Sequence, residues 1–225
     1  MKRFLIMFLI TAVCFFPLFA DTISEDKTDF AEIGTVIDDA VYDIRYYSPN
    51  NFTGNKINGY KAPRAYLTKA ALSALSKAAD DLRKQGYRLL IWDAYRPQKA
   101  VDNFVAWIKA PNDPGDKTFY PTLQKSNLLA GGYIASKSGH TRGSTVDLTI
   151  IKKDGSFVDM GGTFDLFSEI SHPNYQKLTK EQKRNRRILR TAMLNAGFKG
   201  ISSEWWHYTL KDEPYKDTYF NFDVE

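Results

Sequence analysis

The chain has 225 residues, 43% of them hydrophobic and 25% charged, with a formal net charge of +5. Setting Lys2 and Arg3 aside lowers that charge to +3, too small a surplus for a nucleic-acid-binding surface. Cys14 is the single cysteine, so no disulfide can form within the chain and the redox compartment cannot be read from cysteine usage.

Residues 1–20 read as a secretory signal: Lys2 and Arg3, an apolar run from Phe4 to Phe19, and Ala20 as the cleavage position. This predicts a periplasmic or extracellular protein without stable membrane insertion. An uncleaved anchor fits less well, because the run is short for a span and contains Pro17. Cys14 lies between Val13 and Phe15 inside the run, a poor context for lipidation. The remainder, residues 21–225, suits one domain with a sizeable core. Neither a repeat nor a linker divides it.

GTVIDDAVYDIRYYSPNNFTGNKINGY alternates valine, isoleucine and tyrosine with turn residues, which predicts short strand pieces joined by loops. Leu72, Leu75, Ala79 and Leu82 then recur at helical spacing between a Thr68 cap and Gly86. A buried strand, Tyr87 to Trp92, follows, and the Asp93 to Pro97 turn opens a helix carrying Phe104, Val105, Trp107 and Ile108. Pro111 to Lys125 reads as a surface loop. Arg96 leaves the strand end beside a proline, a rigid mount for a side chain aimed into a cleft. It is either held in a structural ion pair with Asp93 or another carboxylate, or a fixed cation for an oxyanion.

The segment SKSGHTRGSTVDLTI sets His140 on a small, polar loop six residues before Asp147. Val146, Leu148 and Ile150 share one face of a strand; Thr145, Asp147 and Thr149 share the other. A carboxylate in that setting is costly unless paired or bound to a cation. KKDGS then reads as a hairpin turn into FVDMGG. Further on, the basic run KEQKRNRRILR reads as the solvated face of a helix whose apolar positions are Ile188, Leu189, Met193 and Leu194, stopped by Gly197.

Near the C-terminus, SSEWWHYTL places Glu204 three residues before His207. Positions three apart on a regular strand point to opposite faces, and the aromatic and β-branched neighbours favour a strand over a helix. The chain must therefore bend, with Glu204 on the loop entering the strand and His207 on the strand itself. His140, Asp147 and His207 with a displaced Glu204 make a catalytic zinc set: three ligands, an open position for water and a base beside it. Trp205 and Trp206 read as core packing, and His172, outside both motifs, as structural or solvent-facing.

With SKSGHTRGSTVDLT, EWWHYTL and WDAYRP go NFTG, GYIASKS, MGGTFD and DEPY, in that order. Together they resemble the D-alanyl-D-alanine dipeptidases of the VanX type, in a wider group of zinc peptidases that includes D,D-carboxypeptidases and the Hedgehog amino-terminal signalling domain. The resemblance covers essentially all of residues 21–225. It implies an α+β fold with a mostly antiparallel central sheet flanked by helices, one zinc ion per chain held by His140, Asp147 and His207, and Glu204 as general base and acid. It further implies Arg96 as the stabiliser of the tetrahedral intermediate, Asp165 as receiver of the substrate ammonium, and Ser138 and Tyr133 near a D,D-dipeptide. The alternatives are a carboxypeptidase trimming peptidoglycan stem peptides and a non-catalytic zinc-stabilised binding domain; Glu204 argues against the second. The oligomeric state stays open.

Overall fold

The computed structural model describes residues 21–225; the signal-like segment, Cys14 included, lies outside the described residues. Strands β1 (Thr22–Ser24), β2 (Phe30–Glu32), β3 (Val41–Tyr42) and β4 (Tyr66–Thr68) lead to helix α1 (Lys69–Lys84). Strand β5 (Tyr87–Asp93), α2 (Gln98–Lys109), the single turn α3 (Asn127–Ala130) and β6 (Thr145–Lys152) follow. The chain ends with α4 (Lys180–Asn195), β7 (Phe198–Gly200), β8 (His207–Leu210) and β9 (Thr218–Phe220).

The central sheet runs β3-β5-β6-β8-β7. Only the β3–β5 pair is parallel; the other three pairs are antiparallel. With the helices, this is the expected α+β arrangement. The Thr68 hydroxyl accepts the Ala71 amide at 3.3 Å and starts α1, whose Leu72, Leu75, Ala79 and Leu82 are buried against β5 and α4. Helix α4 starts with a reciprocal capping box, Thr179 with Gln182, and buries Leu189 and Met193.

Two expectations need correction. The basic run on α4 is not solvated throughout, because Asn185 and Arg186 are buried. The Pro111 to Lys125 segment is irregular as expected, yet it anchors Phe119 and Tyr120 in the core. Both faces of β6 are buried, Thr145, Asp147 and Thr149 as much as Val146, Leu148 and Ile150, since β6 lies in the middle of the sheet with structure on both sides.

One turn feeds β6. His140–Arg142 form a single 3₁₀ turn that ends on Gly143 in the left-handed region, φ 78°. A Cβ at that position would lie 2.2 Å from Phe30 Cε1, inside a cluster where Phe30 meets Tyr95, Phe220 and Phe222 edge-on. Gly143→Ala therefore combines backbone strain with overpacking and is expected to destabilise the fold by about 2–4 kcal/mol, read as a lowered urea midpoint with unchanged slope.

Candidate active site and metal centre

Register brings the key side chains together. Asp147 on β6 is the direct cross-strand partner of His207 on β8 and, on its other side, of Asp93 on β5, next to a register shift between Ile91 and Asp93. Directly opposed side chains in an antiparallel pair have Cβ atoms roughly 5 Å apart. His140, on the 3₁₀ turn just before β6, folds back over the same row. Glu204 lies on the bend that enters β8, and its Oε2 reaches to 3.5 Å from His207 Nδ1, so the chain does bend between the two.

The three donor groups are mutually close. His140 Nε2 lies 3.1 Å from Asp147 Oδ2, His207 Nδ1 lies 3.0 Å from Asp147 Oδ1, and the two ring nitrogens are 3.2 Å apart. Tetrahedral ligands at ~2.0–2.1 Å from zinc are separated by roughly 3.3 Å, so the donor set fits such an ion. Two further observations agree. Asp147 Oδ1 is buried without a hydrogen bond despite the nearby imidazole, a close contact with no aligned donor. His140 Nδ1 lies 2.8 Å from the Ala94 carbonyl; it donates there, which leaves the Nε2 lone pair facing the cluster.

Electrostatics follow from the crowding. Burial pushes the Asp147 carboxyl up, but His140 and His207 outweigh burial and hold it below the ordinary carboxylate range. Burial, helped by the Asp147 charge and opposed by His207, pushes Glu204 up to about 7. Burial lowers His140. For His207 burial acts downward, yet Asp147 and Glu204 carry it above its usual value.

Arg96 makes the ion pair expected of it. Its Nε and Nη2 donate to Asp93 Oδ2 at 2.9 and 2.8 Å, and Nη2 also lies 3.7 Å from Asp147 Oδ2. It nevertheless lines a cleft of about 230 Å³ together with His140, Asp147, Glu204 and His207. Asp165, Tyr133 and Ser138 line that same cleft. Asp165 has φ 54°, a strained position for a non-glycine residue. Its carboxylate accepts the Tyr46 hydroxyl at 2.7 Å, and burial raises its pKa well above normal. His172 stays out of the cleft; its carbonyl accepts from Arg186. Trp205 and Trp206 are buried, packed against each other edge-on.

Sequence reasoning missed Tyr46, Tyr60 and the Arg142–Glu213 brace. The Tyr60 hydroxyl donates to Asp93 Oδ1 at 2.6 Å, completing the set of donors on Asp93. Arg142, last residue of the His140 turn, donates from Nε and Nη2 to both Glu213 oxygens at 2.8 and 2.9 Å. The GHTRG and DEPY segments thus meet in one bidentate pair; only their shared pairing chemistry could have linked them.

Two imidazoles and one carboxylate with a spare glutamate in a cleft form the donor set of a metal-dependent hydrolase. A profile of the peptidase family described as D-ala-D-ala dipeptidase matches residues 26–225. A D-alanyl-D-alanine dipeptidase of Streptomyces coelicolor is 42% identical over 198 residues, covering 87% of this chain and 98% of that relative. One of Enterococcus faecalis is 45% identical over 185 residues, covering 81% and 92%. The solved structure of VanYB in complex with D-alanine-D-alanine aligns with a TM-score of 0.39 at 16% identity, over 67% of this chain and 75% of that one. The chain belongs to the D-ala-D-ala dipeptidase family and is a peptidase.

The brace gives a test of how the turn is held. Glu213→Gln removes one charge from a mostly buried pair and frees the His140 turn, so Zn(II) affinity measured by chelator competition is expected to fall about tenfold.

Proposed function

We propose that this protein is a zinc dipeptidase that hydrolyses D-alanyl-D-alanine to two D-alanines, with His140, Asp147 and His207 as the metal ligands. The observation that carries this reading is the convergence of three groups, with His140 Nε2 and His207 Nδ1 3.2 Å apart and each 3.0–3.1 Å from a different oxygen of Asp147, and Glu204 beside them in the same cleft. The family membership supports the substrate.

Zinc in this site would polarise the scissile carbonyl and bring the pKa of bound water down toward about 7. Glu204, reaching toward His207 from the bend before β8, takes the proton released as water attacks the carbonyl carbon. It then hands that proton to the departing amine. Arg96 faces the cleft from the end of β5. Its bonds to Asp93 fix the guanidinium, so a developing carbonyl oxyanion meets a cation already in place. Asp165, steered by the Tyr46 hydroxyl, receives the free ammonium of the dipeptide. An acylated amine carries no charge and offers that buried group no counter-ion, so longer or blocked peptides are disfavoured. Ser138 and Tyr133 flank the substrate.

The basic, apolar and small-residue pattern of residues 1–20 supports the reading of an exported enzyme acting outside the cytoplasm. Salvage of D-alanine from wall turnover fits that location better than removal of a cytoplasmic precursor.

Glu204→Ala is expected to lower kcat on D-Ala-D-Ala by roughly 10²–10⁴-fold while Zn(II) content is retained; unchanged turnover would remove Glu204 from the chemistry. Asp165→Ala is expected to raise KM for the free dipeptide and to narrow the gap between D-Ala-D-Ala and its N-acetylated form. A wild-type enzyme that cleaves both forms equally well would instead be a carboxypeptidase.

A further inference from the structure

A second cavity, of about 500 Å³, opens between the Pro173–Leu178 loop and α4, a volume in the range of small-molecule sites. It lies behind β8 from the cleft: Trp205 and Tyr208 line it, whereas Glu204 and His207 line the cleft. Lys183, Arg187 and Arg190 form its helical wall. Spaced by four and three residues, they share one stripe of α4 that rises ~10 Å. None of the residues lining the cavity is a carboxylate. Among the described residues these three cations make no ion pair; the salt bridge on this stretch of α4, Arg184 with Glu181, is exposed and lies outside the cavity.

Arg186 adds a fourth, unusual cation. It is 6% exposed, and its nitrogens donate to the carbonyls of Met160, His172 and Ile170 at 2.7, 3.0 and 2.8 Å. Its hydrogen bonds are satisfied by neutral groups and its guanidinium lies 5.2 Å from the Trp205 ring, so its charge is offset only in part, by the Asp159 carboxylate. Burial depresses its pKa to about 10. The rest of the wall mixes apolar groups, Pro173, Tyr175, Leu178 and Leu194, with the neutral polar Asn174, Gln176 and Thr191. A single carboxylate would offset one of these charges; a phosphate monoester carries about two and matches arginine's paired donors. The cations line a concavity, which suits a compact ligand rather than a flat membrane surface.

We propose that this cavity binds a soluble phosphate-bearing small molecule, its phosphate held by Lys183, Arg187 and Arg190 and its organic part lying on Tyr175 and Leu178. The assignment is independent of the catalytic reading. The test titrates inorganic phosphate and glucose 6-phosphate into the full-length zinc-loaded protein by calorimetry, with the Trp205 indole ¹⁵N–¹H signal as a local reporter. Saturable binding is expected, tighter for the sugar phosphate, with a Trp205 shift. Arg187→Gln combined with Arg190→Gln should weaken it at least tenfold. Lys180→Gln combined with Arg184→Gln removes the same charge outside the cavity and should change it less than twofold. No saturable binding, or equal weakening by both pairs, would overturn the proposal. So would binding to phosphatidylglycerol vesicles with neither soluble phosphate bound, since the partner would then be a lipid surface.

Discussion

The site depends on one register: Asp147 pairs with His207 across β6 and β8, deep in a five-stranded sheet. Antiparallel pairing puts opposed side chains on the same face, so the two donors converge without any loop having to find its place. A slip of one residue would turn Asp147 toward the opposite face and bring a leucine or valine into the cleft. The hydrophobic alternation of Val146, Leu148 and Ile150, all fully buried, makes that slip costly. Core packing and metal geometry are thus specified by the same strand.

His140 needs a different device, because it comes from a turn. The turn is closed by Gly143 in a left-handed conformation, held against Phe30 and clamped through Arg142 by Glu213. Its imidazole is oriented by the Ala94 carbonyl at the end of β5. Three chain segments far apart in sequence therefore fix one nitrogen. Such over-determination holds a ligand in place when nothing occupies the centre, and it lowers the reorganisation needed on binding.

How much of this the sequence carried depends on range. Alternation marked β6, helical spacing with the Thr68 cap marked α1, and the clash between strand period and a three-residue spacing located the bend between Glu204 and His207. Each is a local signal of backbone geometry. The contacts that escaped are long-range and polar: Tyr46 with Asp165 across 119 residues, Arg142 with Glu213 across 71. No periodicity encodes them, since a tyrosine hydroxyl or a guanidinium looks the same whether it meets water or a buried carboxylate. Arg186 misled for a related reason. Inside a run of cations it reads as solvated, and only the loop carbonyls folded over it allow a buried charge to survive there.

Charge balance ties specificity to metal binding. Asp93, Asp147, Asp165 and Glu204 gather around Arg96, whose guanidinium is committed to Asp93 and near Asp147. Carboxylates removed from water at this density repel one another, and burial raises both Asp165 and Glu204 as a result. A divalent ion between the imidazoles offsets part of that excess. An ammonium at Asp165 offsets another part, and Asp165 is the carboxylate left with a single tyrosine donor. A zwitterionic dipeptide brings that ammonium with it, whereas a chain blocked at its amine does not. On the proposed reading, the same scarcity of cations that calls for a metal would favour a short, free-amine substrate, with charge selecting before length.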